Sequence, residues 1–117
     1  MNIRKLIREL VRDEFKCDSI VRIFIKGATD VLYQIYAYRD DFNTLRIYIR
    51  EKSLVRGMKD NGELIKDLIF GGSELDVEAC FEDYDSRAKY QIDTVSSAVE
   101  GFITIYLTPI KNQDEVQ

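Results

Sequence analysis

The chain has 117 residues, 45% of them apolar and 32% charged, with no histidine and a net charge of −4. That length fits one domain able to bury its own core, and the composition excludes a disordered or low-complexity chain. The lack of histidine removes Ser-His and Cys-His nucleophile systems and imidazole metal sites, and the acidic balance disfavours general attraction to nucleic acid or anionic membranes.

The first residues mix charged and apolar side chains and lack the continuous apolar core of a signal peptide. No apolar run approaches the roughly 18 residues that span a bilayer. A cytoplasmic protein without membrane contact is expected. Cys17 and Cys80 are then expected to be free thiols.

Ile3, Leu6, Ile7, Leu10 and Val11 recur at helical spacing and predict an amphipathic helix over 3–15, capped by Asn2. Arg4, Arg8 and Arg12 line another face of it. Three alternating stretches follow, around Val21–Ile25, Val31–Tyr38 and Leu45–Arg50, separated by Gly27–Asp30 and Asp40–Asn43. Period-two patterns joined by short polar turns indicate an antiparallel meander.

The second half repeats this order. Leu64, Ile65, Leu68 and Ile69 predict a short helix that Asn61 can cap and Gly71-Gly72 can end. Strands are expected at Leu75–Phe81, around Ala88–Ile92 and at Ile103–Leu107. Residues 84–99 also carry Ala88, Ile92, Val95 and Val99 at helical spacing, but the repeat favours a strand. Leu6–Val11 matches Leu64–Ile69 at an offset of 58, Tyr33–Ile35 matches Tyr90–Ile92 at 57, and Ile47–Ile49 matches Ile105–Leu107 at 58.

The expected fold is therefore α+β: tandem duplicated α-β-β-β units, antiparallel meanders with two helices packed on the inner sheet face. It would form one domain over 1–112, of pseudo-repeats 1–52 and 60–111, with 113–117 a polar tail.

Catalytic signals are weak. Asp40-Asp41 and Asp83/Asp85 are carboxylate pairs whose simplest reading is solvated turns. Gly71-Gly72 is too short for a phosphate loop. Cys80 would fall on an outer face beside Glu78 and Glu82, which repel a thiolate. No catalytic residue, metal site or cofactor is expected.

The outer face of the first meander is more informative. With Val21, Ile23, Ile25, Tyr33, Ile35, Ile47 and Ile49 turned inward, Arg22, Phe24, Lys26, Gln34, Tyr36, Tyr38, Arg46, Tyr48 and Arg50 gather outside. Of these, Arg22, Phe24, Tyr36, Tyr38, Arg46, Tyr48 and Arg50 are the candidate binding residues. Rings interleaved with cations suit protein interfaces, single-stranded nucleic acid, or simple cross-strand cover. The matching face of the second half is acidic, with Asp76, Glu78, Glu82 and Asp93. Residues 1–58 hold 12 Lys/Arg and 8 Asp/Glu, whereas residues 59–117 hold 5 and 13. A basic face on one copy could meet an acidic face on another, head to tail.

The expected function is non-enzymatic: a protein-binding or assembly protein, of the kind found among viral or mobile-element accessories, acting as a structural subunit or an inhibitor. Its partner would be another protein or itself. The alternative is a nucleic-acid-binding module using the basic and aromatic face.

Overall fold

The computed structural model describes residues 1–12, 16–53, 57–72, 74–81 and 88–110. Two short helices, α1 (Ile3–Leu10) and α2 (Asn61–Ile69), each precede three strands. These are β1 (Ile20–Ile25), β2 (Ala28–Asp41) and β3 (Thr44–Glu51) in the first half, and β4 (Asp76–Phe81), β5 (Lys89–Ser96) and β6 (Phe102–Pro109) in the second. The stretch with ambiguous periodicity is strand β5.

The six strands close into a barrel in sequence order. Neighbours within each half are antiparallel, whereas β3 pairs β4 and β6 pairs β1 in parallel. The expected helices-on-a-sheet α+β fold is not formed. Each three-stranded meander ends in two strands with unpaired backbone groups, which are costly to leave open. Joining the meanders edge to edge, twice, removes all four edges. The closed sheet then fills its own interior with Val21, Ile23, Ile47, Ile49, Val77, Ala79, Ile103, Ile105 and Leu107. No inner sheet face remains for helices to cover.

The helices instead close one end of the barrel. Asn2 caps α1, accepting from the Lys5 N–H at 2.8 Å, and sits beside the start of β4, where the Ile3 N–H donates to Leu75 O. Asp60 caps α2 and sits beside the start of β1, where the Asn61 N–H donates to Ser19 O. Each half thus anchors its helix on the first strand of the other half. Leu6, Leu10, Leu64 and Leu68, all shut off from solvent, seal this end. At the far end Phe81 packs between Tyr33 and Tyr90, with ring centroids 5.5 and 5.6 Å away.

Two local expectations change. The α2 cap is Asp60, in a reciprocal box with Glu63. Asn61 is fully buried, and its amide donates to Leu10 O at 3.0 Å, tying the helices together. Helix α1 ends at Leu10, with Val11 as its C-cap, rather than running to residue 15. Gly71 does follow the end of α2. A Cβ there would lie 2.8 Å from Ile3 Cδ1, so any larger residue would push the Ile3 side chain aside.

Register repeats between the halves as well. Thr44 faces Asp76 across one parallel seam as Phe102 faces Ile20 across the other. The β2/β3 ladder shifts between Ile35 and Ala37, and the β5/β6 ladder between Ile92 and Thr94. These bulges bend and coil the strands, which closure needs.

Candidate functional site

The seven basic and aromatic candidates do not share one face. Three strands of six span about half the circumference of a barrel, so their outer side chains point in diverging directions. Arg22 and Phe24 join β6 rather than the rest of their meander. The Arg22 guanidinium lies 4.2 Å from the Phe102 ring centroid and 5.4 Å from that of Phe24, and donates to Thr104 Oγ1 at 3.0 Å. Phe24 stacks with Tyr106 at 6.3 Å. On the other side, Arg50 covers the Tyr36 ring at 4.4 Å. Arg46 pairs with Asp41 at 3.1 Å, and Tyr48 lies beside Cys80 across the β3/β4 seam. Cations and rings are engaged with each other, as cross-strand cover requires.

Tyr38 is not an outer residue. The bulge after Ile35 reverses the alternation, and Tyr38 falls opposite Ile47 and packs on the core. Its hydroxyl donates to Asp67 Oδ2 at 2.8 Å, and Lys59 pairs with the same oxygen at 3.0 Å. Burial first, then the bond to Asp67, pushes the phenol pKa well above its usual range.

The acidic candidates are dispersed too. Glu78 lies in register beside Arg46, and Asp93 pairs with Lys26 at 3.2 Å. Asp76 is exposed at the start of β4. Glu82, Asp83 and Asp85 lie outside the described residues. Basic and acidic side chains are therefore neighbours within one molecule, not separate faces. Cys80 is buried, not exposed. Burial raises its pKa, with Arg46 opposing.

Sequence reasoning missed a different surface. Among the described residues the large exposed apolar side chains are Val11, Tyr36, Phe42, Ile69, Phe70 and Val99. All but Tyr36 surround the helix-capped end: Val11, Ile69 and Phe70 at helix C-termini, Phe42 and Val99 in the β2–β3 and β5–β6 turns. Phe42 is 97% exposed and Phe70 85%. Between α2 and the β2–β3 hairpin lies a cleft of about 250 Å³, lined by Tyr38, Arg39, Asp40, Leu45, Asp67, Phe70 and Gly71.

No family model, curated protein or solved structure matches this chain.

Phe42 has φ +55° in the two-residue turn between paired Asp41 and Thr44. Tight hairpins want positive φ there, normally from Gly or Asn. A phenyl group in that conformation gains nothing from folding. The sequence clue was present as Asp41-Phe42-Asn43, an aromatic inside a polar turn. The cleft had no such clue, because it forms only when α2 meets β2. Among the described residues no group of three Cys, Asp or Glu side chains gathers as a metal site would, and no helix is long and apolar enough to cross a membrane.

Proposed function

We propose that the protein is a non-enzymatic protein-binding module that docks through its helix-capped end. The observation that carries this reading is the concentration of exposed apolar side chains there, headed by Phe42 and Phe70. Folding provides no reason to expose two large aromatic rings beside one cleft, and exposed aromatic side chains are enriched at docking surfaces. Aromatic anchors of this kind contribute most of the affinity of protein interfaces.

The basic and aromatic barrel wall supports nucleic-acid binding less well. Arg22 and Arg50 lie on rings of the same molecule, and stacking bases would have to displace them. The test is a photocrosslinking amino acid placed at Phe70, and separately at Pro109 near the opposite end, in cells of the protein's source. Protein adducts from position 70 and not from 109 are expected. Equal labelling from both positions, or adducts only to nucleic acid, would refute the assignment.

A further inference from the structure

The partner of this end is written into the same patch. We infer that the chain pairs with a second copy of itself about a twofold axis, the Phe42 ring of each copy seating in the cleft beside α2 of the other. This rests on the reading of the helix-capped end as a protein-binding surface, and names its occupant.

An isologous interface must be self-complementary, so that a knob and its hole lie in one patch. Phe42 is the knob: almost wholly exposed, on a hairpin tip, at a positive φ that a phenylalanine adopts at a cost. The hole is bounded by the same hairpin, through Tyr38 and Leu45, and by Phe70 and Gly71 at the end of α2. The cleft, about 250 Å³ and open to solvent, has room for a phenyl group against Leu45 and Phe70, with Arg39, Asp40 and Asp67 at its margins.

Charge points to the same occupant. Arg39 and Asp40 are adjacent, both exposed, and form no ion pair with any described residue. They flank the cleft. In the inferred pair, Arg39 on the outer side of β2 and Asp40 on its inner side would each face the oppositely charged residue of the other copy across the axis. Opposite charges in one patch suit a second copy better than a partner of single-signed charge.

At the corresponding corner beside α1, the Arg12 guanidinium donates to Val95 O at 2.8 Å. Phe70 stands where the repeat has Arg12; it makes no such tie to the barrel and is 85% exposed beside the cleft.

The experiment is analytical ultracentrifugation of the full chain up to roughly 1 mM, a range that detects even weak association. The parent should be a dimer in reversible exchange with monomer. Phe42→Gly, which the turn geometry favours, should weaken pairing about thirtyfold, the loss expected of an anchor residue, with no loss of thermal stability of the monomer. Arg39→Asp and Asp40→Arg should each weaken it, because each places like charges together. The double variant Arg39→Asp/Asp40→Arg should restore it, since only the polarity of the pair is exchanged. A parent that stays monomeric, or a dimer indifferent to Phe42→Gly, overturns the inference. If the parent is monomeric yet position 70 crosslinks to a different protein, self-pairing fails and the docking surface stands. If position 70 yields no protein adduct of either kind, both fail.

Discussion

Two corners of the helix-capped end occupy the same place in the repeat and are finished differently. Beside α1, Arg12 reaches Val95 O at the end of β5 and pairs with Glu9 at 3.2 Å. The neighbouring turn is longer and uses Gly101 at φ +84°. Beside α2, Phe70 replaces Arg12, Tyr38 replaces Val95, and Asp67 replaces Glu9. There the polar bond runs inward, from Tyr38 to Asp67, and the turn holds Phe42 at positive φ without glycine. At one corner the residue that follows the helix, Arg12, is tied to the barrel, and at the other its counterpart Phe70 stands exposed beside a cleft. The same backbone position thus carries two side-chain solutions.

The deepest test of this equivalence is in the shared core. Leu10 and Leu68 hold the same position in the two helices, and both are buried. Leu10→Ala and Leu68→Ala should each destabilise the fold by about 2–5 kcal/mol, measured by urea denaturation. Values that differ severalfold would break the equivalence of the halves below the surface.

Tyr38 offers a second contrast, because its counterpart Val95 cannot ionise. Tyr38→Phe should cost about 1 kcal/mol at neutral pH through the lost bond to Asp67. The pH dependence should also change. The folded phenol has a raised pKa, so its contribution is fully present below about pH 10, where the unfolded chain also keeps the proton. It is lost as pH rises further and the unfolded phenol ionises. The urea midpoint of the parent should therefore fall more steeply above about pH 10 than that of Tyr38→Phe. Parallel profiles would show that Tyr38 is not the group held neutral by α2.

Arg12→Ala should cost about 1 kcal/mol, since its bond to Val95 O is charge-assisted but partly exposed. It should also open the α1 corner. Unchanged proteolysis and unchanged stability would mean that Arg12 does not hold α1 against β5. The smallest effect should be a gain. Phe42→Gly relieves the positive φ while adding unfolded-state freedom, for a net stabilisation of about 0.5 kcal/mol, read as a higher melting temperature of the monomer. A lower melting temperature would show that the ring packs within its own molecule.

Local features were legible in the sequence to the extent that their causes are local. Val21, Ile23, Ile47, Ile49, Ile103, Ile105 and Leu107 alternate with polar neighbours and all face inward. Leu64 and Leu68 mark the buried stripe of α2. Tyr38 was misassigned because a bulge inserts one residue, and every side chain beyond it changes face. The mate of that bulge at Asp93 sets Val95 inward in the same way. Alternation alone puts Cys80 on the outer face, yet it is buried, because Tyr48 lies beside it across the parallel seam.

The sequence by itself determined the helix or strand type of every element except β5, where both spacings coincide, which side of most strands is apolar, and that the same order occurs twice. Periodicity encodes these, because each residue's neighbours along the chain decide its face. Only the tertiary structure decided that the two meanders join along parallel seams, that the helices plug an end instead of covering a sheet, and that charges of the two halves become neighbours. Edge pairing satisfies backbone groups that are identical in every residue, so no side-chain pattern announces which edges will meet. The cleft follows from that packing, because it forms only where α2 meets the β2–β3 hairpin, whereas the exposure of Phe42 is set by its own tight turn.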